Sequence, residues 1–165
     1  MSKNTIGIKY GILAGVGLML YFLLFYYMDK NRMMDAWVSW SSLFLVLICT
    51  FLAVSQQRET NGGIIEFKEA LKTGFTVIVL SNLLYYAFFF VLLKSDLELV
   101  TILKQNGIDF YKSILPEEEW PAMEKSYENF SFGFSDVLQY FAKSTIGGFF
   151  IALLVAGLLK RSTVR

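Results

Sequence analysis

The sequence predicts an all-α integral membrane protein, an up-down bundle of four transmembrane helices with a helical extracytoplasmic loop. Hydrophobic residues make up 55% of its 165 residues and charged residues only 18%, whereas a soluble domain carries about 25% charged residues. Four long stretches are nearly free of charge, and each is long enough to cross a hydrocarbon core of about 30 Å as a helix. None of them shows the alternating polarity of a barrel strand.

The predicted spans cover residues 6–28, 36–57, 73–93 and 137–159 of a single membrane domain, 1–165. Lys3 and Lys9 precede the first charge-free run, as they would in a signal peptide. The run is nevertheless too long, and it reaches Asp29 without a small-residue cleavage site. The first segment is therefore predicted to be retained as an anchor and first span.

Cations set the predicted orientation. Alternation of the spans places residues 1–9, 58–72 and 160–165 on one side, with eight Lys and Arg against three acids. Residues 94–136 fall on the other side, with four Lys against nine acids. The positive-inside rule then predicts a multi-pass protein of the inner membrane with both termini in the cytoplasm and the 94–136 loop outside.

Aromatic residues cluster where the predicted spans meet the outer side. They close spans one and three and open spans two and four, as Tyr26, Tyr86, Trp37 and Tyr140 illustrate. We interpret them as a belt at the membrane interface, where amphipathic rings rest at headgroup level. The alternative is an aromatic-lined outer vestibule for a hydrophobic ligand.

Two stripes of small residues predict close helix packing. Span one carries Gly7, Gly11 and Gly15, and span four carries a similar stripe of Ser144, Gly148, Ala152 and Ala156. Small residues let helix backbones approach closely in lipid. Since spans one and four are neighbours in an up-down bundle, we expect the stripes to face each other within one chain. A homodimer through either stripe is the competing interpretation.

The connection between spans two and three begins with a turn at Asn61-Gly62-Gly63, because these residues tolerate positive φ. From Ile64 the apolar spacing predicts a short helix that lies at the cytoplasmic interface and runs into span three.

The same segment carries a family resemblance. Asn61-Gly62-Gly63, then Phe67-Lys68-Glu69-Ala70-Leu71 and Gly74, resemble the family called domain of unknown function 4199. Its members are small bacterial membrane proteins, chiefly from Bacteroidota, with a comparable number of predicted helices. The similarity extends to the acidic loop that contains Asp109-Phe110-Tyr111 and Glu117-Glu118-Glu119. The resemblance implies four spans and an inner-membrane location, and it brings no activity, cofactor or catalytic residue.

The outer loop, 94–136, is too long for a plain connection and is expected to have structure of its own. Apolar spacing predicts an amphipathic helix that starts near Leu97 and ends at Asn106-Gly107. Pro116, followed by three glutamates, predicts the start of a second helix with one face formed by Trp120, Met123 and Tyr127. We interpret the loop as a solvated cap. The alternatives are a docking surface for a periplasmic protein partner and an acidic, cation-attracting mouth.

Catalytic chemistry has no support in the sequence. The absence of histidine excludes a histidine general base, an HExxH zinc site and a Ser-His-Asp triad. Cys49 lies inside span two and is read as an apolar filler, and Glu117-Glu118-Glu119 lack the spacing of a calcium loop. A net charge of +1 gives no basic field for nucleic acid. We therefore expect no enzyme activity, no cofactor, no metal and no nucleic-acid partner.

Polar residues inside the spans are the remaining candidates for function. Asn82 lies near the middle of span three, where an interhelical hydrogen bond is its plain role, and Lys143 lies near enough to the outer interface for its ammonium to snorkel. Two polar side chains are few for a transport pathway that crosses the whole membrane. The sequence thus favours a noncatalytic binding or scaffolding module that uses its acidic outer loop. The alternative is a small transporter or channel subunit.

Overall fold

The computed structural model describes residues 5–128 and 133–160, and the described residues form helices and turns without a strand ladder. Four helices are long and apolar enough to cross a membrane: α1 (Thr5–Met28), α3 (Ala36–Thr60), α4 (Phe67–Ser95) and α7 (Phe134–Leu159). The shorter elements are α2 (Lys30–Met33), α5 (Leu97–Ile114), a 3-10 helix (Glu117–Glu119) and α6 (Trp120–Glu128). The predicted all-helical class and the four membrane-length helices are confirmed. The predicted cytoplasmic tails, 1–4 and 161–165, and residues 129–132 of the predicted outer loop lie outside the described residues.

The long helices turn large apolar side chains outward. Leu20, Phe44 and Leu154 are 63%, 66% and 67% exposed. Apolar surface of this extent is unfavourable in water and favourable against lipid chains. Helix length, composition and outward apolar faces together are those of a multi-pass membrane protein.

α4 is the central helix, and α1 and α7 pack on opposite sides of it. A Cβ atom added to Gly11 of α1 would lie 2.8 Å from Cβ of Leu80, and one added to Gly15 would lie 2.7 Å from Cδ1 of Leu84. On the other side, a Cβ atom added to Gly148 of α7 would overlap Cγ2 of Ile78. Both small-residue stripes therefore bring a backbone close to α4.

The expectation that the stripes of spans one and four face each other is wrong. The interfaces of α1 with α4, α4 with α7 and α3 with α4 are all extensive, so α3 and α4 meet across the middle of the bundle and separate α1 from α7. Of the stripe on α7, Ala152 lies near Gly74 of α4, and Ala156 packs with Val54 and Ile65. Small residues mark a face that another backbone can approach, and they do not say which backbone that is.

The contacts also give the direction of each helix. Gly7 lies against Thr73 and Gly15 against Leu84, so α1 and α4 run the same way. Phe90 meets Phe134 and Phe75 meets Phe149, so α4 and α7 run in opposite directions. We call the end with α2, α5 and α6 the capped end, and the end with Thr5, Lys160 and the α3–α4 connection the terminal end.

The α3–α4 connection is a tight turn without a helix of its own. Gly62 and Gly63 have φ angles of +74° and +90°, and the amide of Gly63 donates to the carbonyl of Arg58 at 2.9 Å, which ends α3. α4 begins at Phe67, before the predicted start of span three at residue 73, so the predicted short helix forms as the first turns of α4 and starts at Phe67 in place of Ile64. Ile65 instead buries its side chain among apolar residues of α3, α4 and α7 and is 1% exposed.

The cap differs from its prediction at one point. α5 continues through Asn106-Gly107 to Ile114, so the predicted helix end is wrong. Gly107 faces the phenol of Tyr127 on α6, and a Cβ atom there would lie 2.9 Å from the Tyr127 hydroxyl oxygen. The glycine therefore serves the approach of α6 and not a helix terminus. Farther on, the 3-10 helix precedes α6, whose first turn accommodates Pro121 because amides there need no helical partner.

Candidate functional site

A cavity of about 280 Å³ lies between α1, α3, α4 and α7 in the capped half of the bundle. Apolar side chains of α1 and α3 form part of its wall, among them Leu18, Phe22 and Val46. Seven of its eleven lining residues carry a hydrogen-bonding group and none carries a charge: Ser39, Trp40, Ser42, Asn82, Tyr85, Tyr86 and Ser144. A few convergent polar groups in an apolar wall are the usual form of a small-molecule site.

Side-chain size explains why the cavity forms in this half. In the terminal half, small residues such as Gly11, Gly74 and Ala152 let α4 touch its neighbours. In the capped half, aromatic rings stand between the helices, and the ring centroids of Phe22 and Tyr85 are 4.8 Å apart. Rings of this size cannot close every gap, so space remains between α3 and α7.

Asn82 lies at the deep end of the cavity and is only 7% exposed. Its Nδ2 donates to Oγ1 of Thr145 on α7 at 3.2 Å, which joins α4 to α7. Its Oδ1 accepts no hydrogen bond within residues 5–128 and 133–160. The same holds for the hydroxyl of Tyr85, one turn along α4 on the same wall. Both residues line the cavity, so a bound molecule with a hydrogen-bonding group can pair with them there.

The wall contains three serines, Ser39, Ser42 and Ser144, and the hydroxyl of Ser42 is held by its own helix. Oγ of Ser42 donates to the carbonyl of Ser39 at 2.7 Å, which leaves the lone pairs of that hydroxyl to accept. Ser144 of α7 and Tyr86 of α4 line the same cavity. The predicted stripe residue Ser144 therefore belongs to the cavity wall.

A second cavity of about 210 Å³ adjoins the first and shares Phe22, Ser39, Tyr85 and Tyr86 with it. It extends the site beneath the cap, where its other lining residues are Met33, Met34, Phe89, Leu103 and Tyr140. α2 and α5 thus form a roof over the site. Met33 is 1% exposed and Leu99 of α5 is fully buried, so the roof is tightly packed.

A polar cluster pins the roof to the bundle. Nζ of Lys30 lies 2.6 Å from Oδ2 of Asp96 and 2.6 Å from Oε2 of Glu98. The hydroxyl of Tyr26 donates to the same Asp96 oxygen at 2.7 Å. The other Asp96 oxygen accepts from the amides of Glu98 and Leu99 at 3.0 and 3.2 Å and so caps the N-terminus of α5.

The groups of this cluster shift one another's pKa values. Hydrogen bonds from Lys30 and Tyr26 lower the pKa of Asp96 to about 2. The hydrogen bonds to Asp96 and Glu98 raise the pKa of Lys30 above its usual range. The pair is therefore ionised across the neutral range, and the Asp96 side chain is only 12% exposed. One carboxylate joins the ends of α1 and α4 to α2 and α5.

The cavity opens sideways between α3 and α7. These helices meet in the terminal half, where Val54 and Val155 share one buried cluster. Toward the capped end, Trp40 and Leu43 stand at the edge of the cavity and are 70% and 40% exposed. Ser144 lies on the α7 side. The mouth is thus formed by side chains that face the lipid-exposed surface.

The structure separates the two predicted intramembrane polar residues. Asn82 lines the cavity, whereas the Lys143 side chain is exposed, with Nζ 5.9 Å from the ring centroid of Tyr140. Lys143 is not among the residues that line either cavity of the site.

The residues of the family motif lie at the terminal end. Asn61 and Glu69 approach the buried side chain of Gln57, whose Nε2 donates to Oδ1 of Asn61 at 3.3 Å and to Oε1 of Glu69 at 3.4 Å. Gly74 packs against Thr50, and a Cβ atom added to Gly74 would lie 3.1 Å from Cγ2 of Thr50. The remaining motif residues surround the turn and the start of α4: Gly62, Gly63, Phe67 and Lys68. The motif therefore shapes the α3–α4 connection and lies away from the cavity.

Sequence reasoning missed Lys30, Asp96 and Gln57. Asp96 had a usable signal, because an aspartate directly before an amphipathic helix is a typical N-cap. Lys30 had none, since Asp96 lies 66 residues away in the chain, and the contact of Gln57 with Glu69, 12 residues away, had none either.

The comparisons agree with the resemblance found in the sequence. A family model described as "Protein of unknown function (DUF4199)" matches residues 9–161. No curated protein and no solved structure matches the chain. Since the matched residues include nearly all of the four long helices and the motif at the α3–α4 turn, the chain belongs to the DUF4199 family.

Proposed function

We propose that this protein is a noncatalytic binding module of the bacterial inner membrane. Its four long helices cross the membrane as an up-down bundle with both termini in the cytoplasm, and the capped end faces outward. The observation that carries this proposal is the polar-lined cavity of about 280 Å³ in the capped half of the bundle. Its ligand is a small molecule that partitions into the bilayer.

The chemistry of the wall supports binding in place of catalysis. Neither adjoining cavity is lined by a carboxylate, an amine or a thiol. Apart from the phenols of Tyr85, Tyr86 and Tyr140, the wall therefore offers amide and hydroxyl groups that hold a ligand and no side chain of the kind used in general acid–base catalysis. The acidic outer loop takes the role of a roof and of an outward face for a protein partner, because Glu117–Glu119 are all exposed on the cap.

A transporter or channel subunit is the second candidate, because the cavity reaches the middle of α4. Below Asn82 and Val46, however, two buried apolar clusters fill the terminal half, with Val77, Ala53, Val155 and Leu159 among their members. Moving a polar solute through that half requires these clusters to separate. The geometry therefore favours a site that ends blindly at Asn82.

Photolabelling of the reconstituted full chain tests the binding proposal. The probe is 3-trifluoromethyl-3-phenyldiazirine, a small uncharged hydrophobe, and an excess of trifluoromethylbenzene is the competitor. We expect competitor-sensitive labelling of α3 and α4 beside the cavity. Ser42→Trp fills the cavity and should remove this labelling, while Ile48→Trp, on the exposed side of the same helix, should retain it.

Two outcomes contradict the binding proposal. Labelling that is spread over the lipid-exposed faces and insensitive to competitor shows that the cavity does not bind. Proton or cation leak through liposomes that contain the wild type, and that both Asn82→Leu and Lys143→Met abolish, assigns the protein to transport.

A further inference from the structure

We propose that the cavity takes an uncharged, hydroxyl-bearing amphiphile with a single chain, which enters sideways from the outer leaflet between α3 and α7. The inference rests on the proposed function and names the ligand class of the same site. It follows from the charge of the wall, from the polar atoms left without partners, and from the position of the mouth.

The charge of the wall selects the headgroup. All residues that line the two adjoining cavities are uncharged. The nearest cation along α7, Lys143, is exposed beside Tyr140 and does not line either cavity. A charged headgroup in this site would lose its hydration without gaining a counter-charge, which is strongly unfavourable in a membrane interior. An uncharged headgroup avoids this penalty.

The polar atoms of the wall without a partner favour a ligand that carries a hydroxyl group. Oδ1 of Asn82 and the hydroxyl of Tyr85 have no partner among the described residues, and both residues line the cavity. Asn82 is more than nine-tenths buried and lines the cavity. A ligand hydroxyl donates and accepts at once, and it therefore pairs with Asn82 whichever way the amide is turned.

The size and position of the cavity select a single chain. Volumes of about 280 and 210 Å³ are at the lower end of small-molecule sites, which is too little room for the two chains and headgroup of a phospholipid. On the capped side, the Lys30–Asp96 pair and buried Met33 belong to the roof of the site. The open side lies between Trp40 and Leu43 of α3 and Ser144 of α7, where a chain can extend into the bilayer.

Four photoreactive probes with the same diazirine-bearing alkyl chain test the inference on the full chain in nanodiscs. Their headgroups are a glycerol monoester, a methyl ester, a trimethylammonium and a sulfonate. We expect competitor-sensitive labelling at the cavity with the glycerol ester, and labelling weaker by about tenfold or more with the other three.

Matched variants separate headgroup recognition from folding. Tyr85→Phe keeps the ring and removes only the hydroxyl, and Asn82→Leu removes the amide, so each should bring labelling by the glycerol ester down to that of the methyl ester. Thr145→Val removes the partner of Asn82 without touching the cavity wall and should keep the preference for the glycerol ester. If Asn82→Leu and Tyr85→Phe still prefer the glycerol ester over the methyl ester, the assignment of these two groups is overturned.

The outcomes distinguish the two proposals. Equal, competitor-sensitive labelling by all four probes overturns the headgroup assignment and leaves the binding function standing. Stronger labelling by either charged probe has the same effect. Labelling that no competitor reduces, with any probe, overturns the binding function itself. Competitor-sensitive labelling that persists when Leu43→Trp narrows the mouth overturns the sideways route alone.

Discussion

Gly11 shows how one missing side chain sets the distance between two helices. Its α-carbon faces Leu80 and Val77 of α4, and even a methyl group there would lie 2.8 Å from Cβ of Leu80. The obstacle includes Cα of Val77 at 3.3 Å, which is backbone and cannot swing aside. A larger side chain must therefore push α1 and α4 apart.

We expect Gly11→Leu to destabilise the protein by about 1–3 kcal/mol, the usual cost of overpacking a close contact. Thermal unfolding in detergent measures the effect. Gly147→Leu is the matched control, because a Cβ atom at Gly147 meets nothing within 4 Å and the substitution should be nearly silent. Equal melting curves for the wild type and Gly11→Leu would show that α1 does not pack on α4 through this face.

Asp96 is a second residue on which distant parts of the chain converge. Its carboxylate binds Lys30 and Tyr26 and caps α5, and its pKa is lowered to about 2. A lowered carboxyl pKa contributes stability that is complete above the pKa of the unfolded chain, about 4, and that is lost as the pH falls toward 2. The raised pKa of Lys30 adds stability that is present below about pH 10 and is lost only at higher pH.

We therefore expect the cap to loosen in acid between about pH 4 and pH 2, and Asp96→Asn to remove that dependence. Asparagine keeps the N-cap hydrogen bonds of one oxygen, and it removes the charge together with the hydrogen bonds that the other oxygen accepts from Lys30 and Tyr26. Hydrogen exchange of the α5 amides measures cap stability. Glu118→Gln, at an exposed site of the cap, should leave the acid dependence as in the wild type. An acid dependence that survives in Asp96→Asn would assign it to another group.

At the scale of elements, the sequence was sufficient for the four long helices and insufficient for their pairing. A charge-free run must be helical in lipid, because every backbone group has to be paired within the segment. The partner of each helix depends on which faces fit in three dimensions. Gly7, Gly11 and Gly15 fit α4 because Thr76, Leu80 and Leu84 present a matching ridge, and that match could not be read from spacing alone.

The α3–α4 turn gives a prediction for Gly63, whose φ of +90° is strained for any residue with a Cβ atom. We expect Gly63→Ala to destabilise by about 1 kcal/mol. Gly157→Ala, inside α7 with no atom within 4 Å of the added Cβ, should be neutral or stabilising by up to about 1 kcal/mol. Denaturation in mixed detergent micelles compares the two. A stabilised Gly63→Ala protein would mean that the turn adopts another backbone conformation.

At the scale of the whole molecule, the proposed topology has a direct test. Single cysteines at Ser2, Ser113 and Thr163, in a Cys49→Ala background, report the side of the membrane on which each position lies. With a membrane-impermeant maleimide and intact spheroplasts, we expect labelling at Ser113 only. All three positions should label after the membrane is permeabilised. Labelling at position 2 or 163 in intact spheroplasts would contradict the proposed cytoplasmic location of the termini.

The candidate site was only partly predictable at this scale. Asn82 stood out because an amide near the middle of a span is costly in lipid. Ser39 and Ser42 did not, since serines are ordinary in membrane helices, and Tyr85 and Tyr86 were absorbed into the interfacial belt. The cavity exists only because residues from four helices, far apart in the sequence, leave a gap together. That gap depends on helix packing and has no local signal.

The division of the bundle into a half held together by glycine and alanine and a half separated by aromatic rings has a mechanical consequence. Helices that touch through glycine and alanine lie closer together than helices that hold aromatic rings between them, so such a bundle takes up unequal areas in the two leaflets of a bilayer. Such a wedge relieves strain where the membrane bends in one sense and adds strain where it bends in the other.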